Sequence, residues 1–339
     1  MKQIVKKLVE PDHGENPNEL FDLRGLRLPP VQEKNMASLK SRKTTANPRN
    51  VCISPHDKKL HELLMKFPYY GLVPVNILDA SFFMLSNNDD LIAKIFFHYG
   101  SNSYETFSVT LFGHLAKESA VILDIGSYTG LFGLLSTQVN PSAKVIAFEP
   151  ITNTATRVEE NRDLNGIMNL EVVNKAVSNE DGVADFTLYG TNTGTTGASL
   201  ESKPGKPSIG NLEVETIALD TYCEQQKLRP NLLKIDVEKG ELKVLKGATN
   251  MLREHRPNIM LEVIVQDELN AIVDYLSNYD YHFGMIDDYG LDVKFFDSDS
   301  YDRVGEHKLV TYCNVFCFPA ENEKIASQAV QEVKTLLDS

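Results

Sequence analysis

The chain changes its hydrophobic period several times, and the changes mark out its elements. Val121–Ile125, Lys144–Phe148, Leu232–Val237 and Asn258–Val265 are short, nearly continuous apolar runs bounded by turn residues. Such runs describe strands buried on both faces. Between them the spacing becomes helical: Leu131–Val139, closed by Asn140-Pro141; Thr152–Asn165, closed by Gly166; and Leu242, Leu245, Ala248 and Leu252 on one stripe. A glycine after the last turn is common helix-stop chemistry. Leu170–Val177, Val183–Tyr189, Glu213–Ala218 and Leu309–Phe318 read as further strands, and Asp267–Asn278 as a helix. Strands alternating with helices predict an α/β fold with a mostly parallel sheet covered on both faces.

The pattern upstream is less regular. Residues 1–60 are polar and proline-bearing, and read as an N-terminal extension. Residues 61–118 mix strand-like pieces (Leu72–Val75, Ser81–Leu85) with helical spacing over Asp90–Phe97 and Thr106–Leu115, and read as a lead-in subdomain. The main domain is expected over 119–320, with a C-terminal helix or tail over 321–339. No internal repeat is visible.

Composition narrows the class. Of 339 residues, 42% are hydrophobic and 24% charged, as in globular proteins with a substantial core. The net charge of −13 argues against broad nucleic-acid binding, where a basic surface supplies most of the affinity. Ten Lys/Arg against six Asp/Glu in residues 1–50 make that arm locally basic, as a solvated segment would be. Cys52, Cys223, Cys313 and Cys317 show no CxxC spacing, so no disulfide framework is expected. No apolar run has membrane-spanning length and no signal-peptide core is visible, so the default expectation is a cytoplasmic protein.

Ligands of parallel α/β sheets bind beyond the carboxyl ends of the strands. The first strand ends in Asp124-Ile125-Gly126-Ser127-Tyr128-Thr129-Gly130. A dinucleotide fold offers bare amides to a pyrophosphate there. A carboxylate repels that anion and favours a cation, such as the amino group of S-adenosylmethionine (SAM). The second strand ends in Glu149-Pro150, suited to accept hydrogen bonds from ribose hydroxyls. That feature fits NAD and SAM alike. Asn174-Lys175-Ala176 ends the third, where a small residue lets an adenine ring approach. Lys234, Asp236 and Glu238 alternate at the end of the strand that opens at Leu232, and Glu262 lies near the end of the next. Ionisable groups at the end of a buried strand are costly unless paired or liganded. The carboxylates offer a base for a hydroxyl acceptor or ligands for a divalent metal. The Gly/Thr/Ser-rich loop around Thr193–Leu200 reads as either a lid or a connector.

Taken together, these runs resemble the FkbM family of SAM-dependent methyltransferases. The resemblance spans roughly residues 100–265 and includes Tyr104-Glu105, Asn161–Gly166, Leu219-Asp220, Glu241, Val244–Gly247 and Arg256-Pro257. It implies a Rossmann-like class I methyltransferase fold, with a seven-stranded sheet whose last strand is antiparallel. It also implies methylation of a hydroxyl on a small molecule, sugar or glycan. By the matching motifs, Asp124, Gly126 and Gly130 would hold the methionine part of SAM, with Glu105, Ser127 and Tyr128 beside it. Glu149 and Pro150 would hold the ribose, Lys175 and Ala176 the adenine edge, and Asp236 would sit near the reaction centre with Glu238 and Glu262. The chain departs from the family in having Tyr128 where an asparagine is usual, Lys239 before Gly240, and Ile264 where a histidine often stands. Two other readings stay open: a nicotinamide-dependent oxidoreductase, and a non-catalytic SAM-binding scaffold.

Overall fold

The computed structural model describes residues 34–40, 62–64, 66–189, 208–302 and 313–338. The loop around Thr193–Leu200, most of the N-terminal extension and Cys52 lie outside the described residues. Contacts divide the chain into two units, one running through Ile77 and over Ser81–Tyr104, the other comprising Leu78–Ala80 and Glu105 onward.

In the first unit, β1 (Tyr70–Ile77) and β2 (Ala80–Asn87) pair as a two-stranded sheet. Val73, Val75 and Ile77 alternate inward along β1, which is the period-2 burial of a half-buried strand. Helix α1 (Leu91–Tyr99) starts where the Asp90 carboxylate accepts the Ala93 N–H at 2.9 Å, an N-cap bond.

The second unit is built on an eight-stranded sheet. Helix α2 (Thr106–Ala116) belongs to it, and the division by contacts falls at Tyr104/Glu105. The following elements are β3 (Val121–Ile125), α3 (Leu131–Val139), β4 (Lys144–Phe148), α4 (Thr152–Leu164) and β5 (Leu170–Val173). Next come β6 (Ala176–Ser178), β7 (Gly182–Tyr189), β8 (Ser208–Ala218), α5 (Leu219–Gln226) and β9 (Leu232–Ile235). The chain closes with α6 (Glu241–Lys246), α7 (Thr249–Glu254), β10 (Asn258–Val263), α8 (Gln266–Ser277), β11 (Tyr281–Asp287), β12 (Asp292–Phe296), β13 (Cys313–Pro319) and α9 (Glu323–Asp338).

The sheet order is β12-β11-β13-β10-β9-β3-β4-β5. β5, β4, β3, β9 and β10 run parallel, and β13 inserts antiparallel between β10 and β11. This is the Rossmann-like methyltransferase sheet with its reversed last strand, extended by an eighth edge strand, β12, that hairpins off β11. The expected strand Leu170–Val177 breaks at Asn174-Lys175. Its second half, β6, joins β8 and β7 in a separate three-stranded sheet.

The core lies under the central strands. Leu123, Ile125, Ile146, Phe148, Leu233, Ile235, Ile259 and Leu261 are all fully buried. From β3 the chain winds outward to β5, then crosses back to β9 on the other side of β3. The carboxyl ends of β3 and β9 therefore flank the switch point, where a crevice opens in this architecture.

Candidate active site

The turn after β3 is held to the neighbouring strands by backbone bonds. Gly126 and Ser127 both donate to Phe148 O at 3.0 Å, and Asp236 N–H donates to Ile125 O at 2.9 Å. Gly126 has φ +76, and a Cβ there would overlap the Asp236 carbonyl oxygen. Only glycine meets both conditions. Gly130 (φ +91) is the N-cap of α3, and a Cβ on it would press into Val158. The Asn161 side chain, on α4, donates to Thr129 O at 2.9 Å and fixes the loop from outside.

Asp124 is 1% exposed, and its Oδ2 accepts Gly133 N–H at 2.8 Å. The acid read from sequence as a ligand for a cation thus also caps the first turn of α3. Burial pushes its carboxyl up to about 7, against the Gly133 bond and the Lys234 charge, which pull it down.

Glu149 closes the far side of the loop. Its carboxylate accepts Ile151 N–H at 2.9 Å and Tyr128 N–H at 3.1 Å, which ties it to the β3 turn. Tyr128 achieves this in a left-handed conformation (φ +49). Burial drives the Glu149 carboxyl up to about 8 despite both bonds, and the Asp124 and Asp236 charges add to the rise. Pro150 turns its carbonyl, with that of Glu149, toward Asn174 Nδ2 at 3.0 and 2.8 Å.

A second group of charges lies beyond β9. Lys234 is 1% exposed and donates to Asp236 Oδ2 at 3.3 Å. Its ammonium also sits 5.0 Å from the centre of the Phe132 ring. Burial alone would lower its proton affinity, yet Asp236, Glu105 and Glu262 outweigh it and hold Lys234 above the ordinary lysine range. Asp236 keeps a quarter of its side chain exposed. Glu262 is pushed well above the ordinary carboxyl range by burial, then by the Asp236 and Glu105 charges. Glu238 adds its charge from the turn after β9, where it has φ +60.

The structure brings together most of the residues singled out in the sequence. Asp124, Gly126, Ser127, Tyr128, Gly130, Glu149 and Pro150 meet at the ends of β3 and β4, and Glu105, Asp236 and Glu262 gather around Lys234, with Glu238 acting on Glu262. Two stand elsewhere. Lys175 pairs with Glu215 of β8 at 2.7 Å, because the break after β5 turns it toward the smaller sheet. Ala176 packs with Phe186, Val214 and Ile151. The sequence reading missed Asn314, which is 3% exposed on β13, stands opposite Glu262 and donates to Glu105 Oε2 at 2.8 Å. A lone amide in an apolar strand was the available signal. Also missed was Asp288, which accepts Ser108 N–H at 2.8 Å and Ser108 Oγ at 2.7 Å, securing α2 beside Glu105.

Residues 124–283 match the family model described as the methyltransferase FkbM domain. This stretch is an FkbM methyltransferase domain. The chain is 32% identical over 147 residues to the hexuronic acid methyltransferase AglP of Haloferax volcanii, covering 41% of this chain and 54% of that protein. It is 26% identical over 162 residues to methyltransferase 1 of Beauveria bassiana, covering 43% and 65%. The chain thus spans less than two thirds of either relative. Among solved structures, FkbM from Methylobacillus flagellatus aligns with a TM-score of 0.40 and 13% identity, over 69% of this chain and 56% of that one.

The FkbM family implies SAM as methyl donor, and the residues present fit an adenosyl ligand. Ser127 Oγ and Thr129 Oγ1 are buried in the glycine loop with no hydrogen-bond partner among the described residues. Glu149, two bonds notwithstanding, has a carboxyl that would gain from further donors. Among the described residues no group of three or more His, Cys, Asp or Glu is arranged to hold a metal ion. No described helix is long and apolar enough to cross a membrane.

Proposed function

We propose that this chain is a SAM-dependent O-methyltransferase acting on a hydroxyl of a sugar, glycan or related small molecule. The observation that carries the reading is the joining of two differently built groups at one switch point. Glu149 and the glycine loop suit a nucleoside, and the partly exposed Asp236, clamped by Lys234, suits an acceptor. The likeness to a hexuronic acid methyltransferase supports a sugar-like acceptor.

When bound, SAM supplies an electrophilic methyl group on a positively charged sulfur. Glu149 binds the ribose hydroxyls, and Ser127 and Thr129 offer hydroxyls to the polar part of the donor. Asp236 accepts the hydrogen bond of the acceptor hydroxyl and takes its proton as the oxygen gains the methyl. Lys234 fixes the carboxylate's direction. Alignment of this kind contributes about 7–11 kcal/mol, and a positioned base about 10²–10⁴-fold. Glu238 borders the acceptor side.

The test begins with calorimetry of SAM, S-adenosylhomocysteine and NAD against the wild type and Glu149→Ala. Adenosyl binding that is lost in the variant and absent for NAD supports the site. NAD binding alone would replace the reading with an oxidoreductase. Transfer of labelled methyl from SAM to a panel of neutral hexosides and hexuronic acid glycosides then follows. SAM binding without transfer to any of them would favour a non-catalytic scaffold. Asp236→Asn with full turnover would remove Asp236 from the chemistry.

A further inference from the structure

The carboxylates on the acceptor side hang from a backbone turn that is unfavourable by itself. Glu238 (φ +60) and Lys239 (φ +87) are consecutive left-handed residues, and neither is glycine. Such geometry persists only where its surroundings impose it. One end of the turn is held by Asp236 N–H donating to Ile125 O at 2.9 Å. The other is held by Val244 N–H donating to Gly240 O at 3.0 Å.

Between them a side chain reaches back. Glu241, fully buried at the start of α6, accepts Val237 N–H through Oε1 at 3.0 Å. Its carboxyl also lies close to that of Glu268 on α8. Burial and Glu268, with the charge of Asp236 behind them, hold Glu241 well above the ordinary carboxyl range. A buried carboxyl facing another carboxyl is costly. Packing alone would be served by an apolar residue of the same size. What an apolar residue cannot do is accept the Val237 N–H.

We propose that Glu241 is a positioning residue of this site, which holds the Val237 amide and thereby fixes the turn that presents Asp236 and Glu238. The consequence for catalysis rests on the methyltransferase reading above. The hold itself does not.

Hydrogen exchange of the whole protein tests the hold directly. In the wild type the Val237 amide exchanges slowly although it lies in a turn, and rapid exchange there would overturn the proposal without any variant. Glu241→Met, which keeps length and apolar packing, speeds exchange across residues 236–240, whereas Glu241→Gln, which keeps an acceptor, restores protection. Unchanged protection in Glu241→Met overturns the hold. On the glycoside found by the methyl-transfer screen, Glu241→Met lowers kcat by about tenfold or more with KM for SAM unchanged, the scale expected when a reacting group is misplaced. Glu241→Gln keeps kcat. Full kcat in Glu241→Met, or a parallel loss of S-adenosylhomocysteine affinity, would overturn the positioning role. If the protein binds SAM but methylates no acceptor, the methyltransferase reading fails while the exchange data still decide the hold.

Discussion

Asn314 on β13 donates from Nδ2 to the Glu105 carboxylate at 2.8 Å, across 209 residues of chain. Glu105 stands at the start of α2 in a left-handed conformation (φ +41) with no side-chain cap bond. The bond therefore fastens a strained residue of the site to the reversed strand of the sheet.

Asn314→Leu removes the donor from a part-buried carboxylate. We expect a loss of about 1–3 kcal/mol in folding stability, the cost of leaving such a group unsatisfied. Asn314→Asp, which sets another acid among Glu105, Glu262 and Asp288, is expected to lose more. Urea denaturation of the three proteins checks both the sign and the order.

Lys234 is the buried counter-charge to Asp236, Glu105 and Glu262. Lys234→Met leaves those carboxyls uncompensated and is expected to cost about 3–5 kcal/mol, as for removal of one partner of a buried pair. Adding Asp236→Asn to Lys234→Met should recover part of that loss. A double-mutant cycle in which the two effects simply add would show that the pair is not coupled.

The pH dependence of stability follows from the raised acids. Asp124 and Glu149 rise from ordinary values of 3.8 and 4.5 to about 7 and about 8. Between those limits the folded chain binds more protons than the unfolded one, so stability falls as pH rises. The exposed acids held below their ordinary values, among them Asp79 and Asp292, act below this window and leave its slope unchanged. Melting temperature in the absence of ligand should decline from pH 5 to pH 8, with a flatter upper part in Glu149→Gln. A rise over that interval contradicts the assignment.

A ligand that donates two hydroxyls to Glu149 favours its ionised form. Near pH 7 the free protein holds that proton, so binding of S-adenosylhomocysteine should release it. Calorimetry in buffers of different ionisation enthalpy measures the release directly. Glu149→Gln should remove this contribution along with much of the affinity.

Sequence and structure agree best where one residue type answers one physical demand. The apolar runs at Val121–Ile125 and Lys144–Phe148 are strands with the same bounds in the structure. Gly126 is read from sequence as a turn and proves to be the close approach of two strand ends. Less was legible where a residue's partner lies far away in sequence. Asp124 looks like a ligand for a cation, because nothing local reveals that the Gly133 amide nine residues on will claim one oxygen. Lys175 sits in a motif that suggests the cofactor, but its direction is set by the break after β5 and by Glu215. Asn314 and Glu105 can be paired only once β13 is known to run antiparallel beside β10.

The order of the strands also governs how the site comes into being. β3 and β9 are neighbours, with Asp124 level with Lys234, yet β4, β5 and the smaller sheet are made between them. A nascent chain that ends before Leu232 exposes one whole side of β3, an apolar parallel edge open to any other strand. Its glycine loop is already complete by then, but the wall that carries Asp236 is missing. Long-range pairing of this kind slows folding, and the crevice is whole only once β9 has joined β3.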